Sequence, residues 1–208
     1  MCITPTTVPI VLLVVLLTLS GLSGCATVDQ KIGLNYAPTD RFFGRHSGDI
    51  TVSGIEAKNI SKNSKGEWII GSLNNVHGVH QADLLSDRSL GEWITEAMLL
   101  ELKRVGYSVT YAAKIPSSTA RAILVDDINS FLNINQGAVS AEVKQELKFN
   151  VDIFLNGFRA KTLTVASRDN KTLPLSSSKE DKEKILRQSL QDAIQQVIPE
   201  ITALTDQQ

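Results

Sequence analysis

The sequence predicts an α+β fold: a two-layer sandwich in which a mostly antiparallel sheet carries two helices packed on one face. Residues 89–106 and 177–204 each place apolar side chains at helical spacing along one stripe. Residues 141–155 alternate apolar and polar side chains, which is typical of a strand with one buried face. The Asn156-Gly157 pair that follows favours a two-residue hairpin turn. The face of the sheet away from the helices is therefore expected to stay open.

The composition is that of one globular domain. The chain has 208 residues, a formal net charge of −1, 42% hydrophobic residues and 21% charged residues. It has no basic block, which argues against nucleic-acid binding because phosphates are neutralised by clustered Lys and Arg. It also lacks a nucleophile motif, a Gly-rich phosphate loop and a dinucleotide fingerprint. We therefore expect no cofactor and no enzymatic activity.

The N-terminus predicts export from the cytoplasm. Residues 8–19 are almost wholly apolar and are followed by the small-residue stretch 20–24. This pattern is typical of a signal peptide, and the apolar run is shorter than the roughly 20 residues that span a bilayer. The segment departs from the usual pattern in one respect, since it opens without Lys or Arg. We predict that residues 1–24 form a type II signal peptide that is removed.

The residues at the predicted cleavage site resemble the lipobox of bacterial lipoproteins. They are Leu22, Ser23, Gly24 and Cys25. The resemblance implies that Cys25 carries acyl chains on its thiol and on its new amine, and that the protein is anchored by lipid. Ala26, in place of Asp, implies delivery to the outer membrane, facing the periplasm. The alternative is a free thiol after an ordinary signal peptide.

Residues 25–48, with few apolar positions, predict a lipidated Cys and a flexible tether, and residues 49–208 predict a single periplasmic domain. Within this domain, residues 49–57 predict a strand with a bulge at Gly54, and residues 67–73 predict a second strand. The first helix is expected to begin at Ser89, where the Ser-x-x-Glu spacing forms a capping box, and to end at Gly106.

Three strands then form a meander, predicted to start at residues 120–135. Continued alternation beyond the Asn156-Gly157 turn predicts that Ile153 faces Ala160 and that Asp152 faces Lys161. The last helix is expected to start at Ser177 or Ser178, with a kink or an early end at Pro199. The charged side chains predicted to project away from the helices are Glu142, Lys144, Glu146, Lys148, Arg159 and Lys161.

Residues 88–109 (RSLGEWITEAMLLELKRVGYSV) and the Asn135-Gln136-Gly137 step, together with the lipobox, resemble the YajG family of bacterial lipoproteins. The resemblance implies an exported, lipid-anchored protein. More distantly, the layout is similar to small periplasmic lipoproteins that serve as auxiliary subunits of envelope transport or assembly machines. Because this second likeness is one of fold, it is a weak guide to function.

Few residues are of types that carry chemistry. His77, His80 and Asp83 are metal-ligand types, but Gly78 favours a solvated loop and a closed zinc site needs about four ligands, so we expect no metal. Asp126 and Asp127 are neighbours in a predicted strand, where they would point to opposite faces and could not act as a pair.

Trp93 lies at helical spacing and is expected in the core. For Trp68, packing in the core and contact with a partner are equally open, because the sequence does not show whether its strand lies at an edge. Lys144 and Lys148, on the open face, are the other candidates for partner contact.

These features favour a binding or scaffold module in the cell envelope, with a membrane anchor and a protein partner. The first alternative is an auxiliary subunit of an envelope transport or assembly complex. The second is an envelope hydrolase, which the sequence supports least because no catalytic constellation is visible.

Overall fold

One mixed sheet of eight strands and two helices form the fold, in a computed structural model that describes residues 28–39, 44–57 and 60–206. The predicted signal peptide, the lipobox residues Leu22, Ser23 and Gly24, and Cys25 lie outside the described residues. The elements in chain order are β1 Gln30–Lys31, β2 Asp49–Gly54, β3 Trp68–Asn75, β4 His80–Ser86, α1 Leu90–Arg104, β5 Ser108–Tyr111, β6 Arg121–Gln136, β7 Ser140–Leu155, β8 Phe158–Pro174 and α2 Lys179–Thr205.

The long strand β6 organises the sheet. On one side it pairs antiparallel with β7, which pairs antiparallel in turn with β8. On its other side β2 pairs parallel with residues 122–125, and β3 pairs parallel with residues 132–136. Beyond them, β5 pairs with β2, β4 with β3 and β1 with β4. The predicted α+β fold is confirmed, and its longest ladders are antiparallel, while the short parallel pairings were not predicted.

The core lies between the sheet and the two helices. The odd-numbered residues of β7 from Ala141 to Ile153 are buried, whereas Lys144, Glu146 and Lys148 between them are exposed. Apolar residues of both helices belong to the same buried cluster as those of β7, so the helices share one face of the sheet. This confirms the alternation predicted for the strand.

Both helices begin as predicted, because their capping signals are local. Ser89 and Glu92 form a reciprocal capping box at the start of α1. At its end Gly106 takes a φ of 111°, and the Tyr107 N–H donates to the Leu102 carbonyl at 3.1 Å. This is the glycine-terminated C-cap that the sequence predicts.

Helix α2 starts after Ser178, whose side chain accepts from the Asp181 N–H. The predicted early end at Pro199 is wrong, because the helix continues to Thr205. Pro199 removes one N–H donor, but the apolar stripe continues past it through Ile201, which is fully buried. Burial of that stripe offsets the lost backbone hydrogen bond.

The predicted tether is wrong for residues 30–39, which belong to the domain. Ile32 and Leu34 are 2% and 1% exposed. Residues 36–39 are held against α1 by Glu101. The fully buried Glu101 carboxylate accepts hydrogen bonds from the Tyr36 hydroxyl at 2.7 Å and from the Thr39 N–H at 2.8 Å. Two buried side chains flanking a glycine are too short a pattern to predict a strand.

Two further strand predictions need correction. The strand predicted over residues 49–57 ends at Gly54 without a bulge, and a Cβ at Gly54 would overlap the Thr95 hydroxyl of α1. The close approach of the helix, rather than a bulge, therefore requires this glycine. His80, expected in a loop, instead begins β4, which forms a hairpin with β3 and had not been predicted.

The β7–β8 hairpin turns at Asn156-Gly157 as predicted, but its register changes after two residue pairs. A bulge at Ala160 pairs Ile153 with Lys161 and Asp152 with Thr162. The extra residue turns Lys161 toward the helical layer, where its Nζ lies 2.7 Å from the Glu200 carboxylate of α2. The prediction that Lys161 projects away from the helices is therefore wrong.

Candidate functional site

The face of the sheet opposite the helices, here called the outer face, is not covered by either helix. It comprises the even-numbered side chains of β7 together with those paired beside them on β3, β6 and β8. Its polar members include Ser72, Asn74, Asn133, Asn135, Glu142, Lys144, Glu146, Lys148, Arg168 and Asn170.

One part of the outer face is a row of hydrogen-bonded amides. The Ser72 hydroxyl donates to Asn133 Oδ1 at 2.7 Å, and Asn74 Nδ2 donates to Asn135 Oδ1 at 3.1 Å. These bonds join β3 to β6 across their parallel pairing. The row is consequently a polar, uncharged surface whose side chains are already oriented.

The adjacent part of the outer face is charged and of mixed sign. Lys144 lies 3.3 Å from Glu142, which lowers the pKa of that carboxyl, and Arg168 lies 3.4 Å from Glu146. Lys148 has no ion-pair partner among the described residues. Exposed ion pairs contribute little to stability, so these side chains can be changed with small effect on the fold.

A pocket of about 670 Å³ lies at the other end of the outer face, beside the β7–β8 turn. Its floor is formed by Leu124 of β6 and Phe154 of β7, and the segment 112–120 between β5 and β6 forms its wall. Apolar side chains predominate in the lining, which also includes Ile55 and Ile115.

The wall of this pocket is attached to the sheet at three points. The Ala113 carbonyl accepts from the Ser53 hydroxyl at 3.4 Å, and the Ala120 carbonyl accepts from the Asn156 N–H at 2.7 Å. Between them, the Ser117 carbonyl approaches Gly157 so closely that a Cβ at this glycine would overlap it. The pocket is therefore preformed.

A buried carboxylate stands next to the pocket. Asp152 is 4% exposed although it belongs to the outer face. It accepts from Arg159 at 2.9 Å and from the Thr162 hydroxyl, both on β8. These bonds satisfy the carboxylate and hold Arg159 beside Phe154, with which it is paired in the hairpin.

A second polar cluster joins the chain end to the domain, away from the outer face. The Asp206 carboxylate accepts from the Tyr107 hydroxyl at 2.9 Å and lies 2.5 Å from His46 Nδ1. Burial alone would raise the pKa of Asp206, but the hydrogen bonds from Tyr107 and His46 outweigh it and hold this pKa below its ordinary value. These hydrogen bonds hold the C-terminal end of α2 against Tyr107 and His46.

The sequence-predicted residues fall at different places. Trp93 is 1% exposed, which confirms its place in the core. Trp68 is partly buried against the core on an interior strand, and Lys62 covers its ring at 4.0 Å. Lys144 and Lys148 lie on the outer face. The pocket had not been predicted, because its floor and wall come from four separate segments of the sequence.

The remaining candidates lie in two separate places, on β4 and at an irregularity of β6. His80 Nε2 lies 2.8 Å from Asp83, on an exposed hairpin. Asp127 has a φ of 47° and lies at an irregularity of β6. The regular alternation of side chains along a strand therefore does not describe the directions of Asp126 and Asp127. Within the described ranges no group of three or more His, Cys, Asp or Glu side chains could hold a metal ion. None of the helices described there is long and apolar enough to cross a membrane.

Comparison with known proteins gives no family. No family model matches the chain, and no curated protein is significantly similar to it. Similar solved structures include protein XCC0632 from Xanthomonas campestris, of family model DUF330, at 12% identity and a TM-score of 0.47, covering 87% of this chain and 97% of that one.

Two further solved structures score lower. An uncharacterized protein is 11% identical with a TM-score of 0.37, covering 84% of this chain and 99% of that one. A neuraminyllactose-binding hemagglutinin homolog from Helicobacter pylori is 10% identical with a TM-score of 0.40, covering 79% and 90%. Likenesses at these scores carry no argument about function, and the resemblance to the YajG family stays a prediction.

Proposed function

We propose that the protein is a lipid-anchored binding module of the bacterial cell envelope, held to the outer membrane at Cys25 and facing the periplasm. Binding rather than catalysis is the proposed role. The lipobox resemblance of residues 22–25 supports the anchor, and the outer face supports the binding role.

The observation that carries the proposal is the one-sided covering of the sheet. Strands β6, β7 and β8 are 16, 16 and 17 residues long, and both helices pack on the same side of them. The opposite side presents oriented amides and charges of both signs. Such a surface suits a polar, salt-sensitive interface, since charged contacts across an interface weaken as salt screens them.

The test is co-purification of partners with the full-length, lipid-anchored chain after mild crosslinking. The double variant Lys144→Glu, Lys148→Glu reverses two exposed charges at the centre of the outer face. We expect it to retain the wild-type melting temperature and to lose the crosslinked partner, and we expect raised salt to mimic this loss in the wild type.

The matched control reverses two lysines elsewhere, Lys65→Glu with Lys103→Glu. Both are exposed, and Lys103 lies on the helical side of the molecule. The control should retain the partner. If the control and the Lys144, Lys148 variant recover the same partner equally well, the outer face is not the interface and the proposal is wrong.

A further inference from the structure

The pocket beside the β7–β8 turn is too large for one amino-acid side chain. At about 30 Å³ for each heavy atom, a volume of about 670 Å³ holds on the order of 20 such atoms. It also lies within the size range of small-molecule sites. The occupant that fits is a molecule with an extended apolar part.

The lining defines the chemistry of that molecule. Ile55, Ile115, Leu124 and Phe154 offer carbon surface, and a pocket of this composition favours an aliphatic chain. One charged side chain, Lys114, belongs to the lining. It is exposed and has no ion-pair partner among the described residues, so its ammonium is available at the rim.

We propose that this pocket binds a single-chain anionic amphiphile, with the acyl chain on the Leu124–Phe154 floor and the anionic head paired with Lys114. Arg159, the other cation beside the floor, is already paired with the Asp152 carboxylate at 2.9 Å, which leaves Lys114 as the unpaired cation for the head among the described residues of the pocket. The fixed wall reduces the ordering cost of binding, since the segment 112–120 need not be folded around the ligand.

The pocket is separate from the protein interface proposed above. It uses residues at the turn end of the outer face, whereas the protein interface proposed above is centred on Lys144 and Lys148. Loss of one can therefore be observed without loss of the other.

The experiment uses the full-length chain in isolated membranes and two photoreactive probes of equal length. One is a C12 fatty acid with a diazirine in the chain, and the other is the corresponding fatty amine. After irradiation, adducts are mapped by mass spectrometry. We expect the acid to label the segments that contain Leu124, Phe154 and Ile115, and to label them about fivefold more than the amine does, as an ion pair of about 1 kcal/mol implies.

Two variants test the two parts of the site. Lys114→Glu should reduce acid labelling about fivefold or more and should favour the amine. Ala113→Trp, at an exposed position of the wall, should narrow the pocket and sharply reduce labelling by both probes. Lys103→Glu is the matched control and should label as the wild type does. Unchanged melting temperatures establish that the variants are folded.

Three outcomes would overturn the proposal. The first is labelling spread over the surface and insensitive to Ala113→Trp. The second is equal labelling by acid and amine, since the pocket would then not distinguish charge. The third is labelling that appears only after a co-purifying protein has been stripped from these residues, which would assign the pocket to a protein partner.

Discussion

Gly157 is required for two separate reasons, and its substitution tests the hairpin and the pocket wall together. It has a φ of 80°, in the left-handed region that costs a residue with a Cβ about 1–2 kcal/mol. A Cβ would also overlap the Ser117 carbonyl oxygen. Forcing such a group into a packed position costs about 1–3 kcal/mol. Gly157→Ala should therefore destabilise the protein by about 2–5 kcal/mol.

Gly66 supplies the matched control. Its φ of 81° is nearly the same, but a Cβ there would meet nothing within 4 Å. Gly66→Ala should consequently lower the free energy of unfolding only by the cost of a left-handed backbone conformation, about 1–2 kcal/mol. The difference between the two variants isolates the approach of segment 112–120 to the turn.

The measurement is urea unfolding of each purified full-length variant in detergent, followed by circular dichroism. For a chain of this size each kcal/mol also lowers the melting temperature by about 2–4 °C, so thermal melts give a second estimate. Equal losses in the two variants would show that Ser117 does not lie against the turn. An unchanged Gly157→Ala protein would refute the turn itself.

Three other predictions concern the anchor, a buried charge and the chain end. Cys25→Ser should remove the proposed lipid, so that the protein has a lower mass and is lost from the outer-membrane fraction. An unchanged mass and an unchanged fractionation would contradict the lipobox prediction. Arg104 lies 3.0 Å from the buried Glu101 carboxylate, so Arg104→Ala should lower the free energy of unfolding in urea by about 2–3 kcal/mol. Arg88→Ala removes an exposed ion pair and should lower it by less than about 1 kcal/mol. The pKa of Asp206 is below its ordinary 3.8, so its ionised form stabilises the fold above that pH. The wild type should therefore be more stable than Asp206→Asn at pH 7, and this difference in unfolding free energy should disappear as the pH falls below 3.8. A constant difference at all pH values would refute this.

The features that the sequence predicted correctly depend on residues close together in the chain. The capping box at Ser89, the glycine C-cap at Gly106 and the turn at Asn156-Gly157 each need only a few neighbouring residues. The alternation in β7 is likewise visible because the strand has one buried face over its whole length. Local signals of this kind define elements and their ends.

The features that were missed depend on distant residues or on single insertions. β1 has only two residues and is held by pairing with β4, some fifty positions later. The bulge at Ala160 reverses the side of Lys161 although the alternation of residue types gives no sign of it. The pocket requires segment 112–120 to fold over β6 and β7, which no periodicity indicates.

If Cys25 carries the proposed lipid, the ordered start of the domain limits how far the domain can move from the membrane. Asp29 already accepts a hydrogen bond from the Asp83 N–H at 2.9 Å, so only four residue steps separate Cys25 from the folded domain. At about 3.5 Å per residue these steps span at most about 14 Å, whereas a tether over residues 25–48 would have reached roughly 80 Å. With a lipid at Cys25, the domain would stay close to the membrane surface and would meet partners by diffusion in the plane of the membrane. A partner fixed deeper in the periplasm would have to extend to meet it.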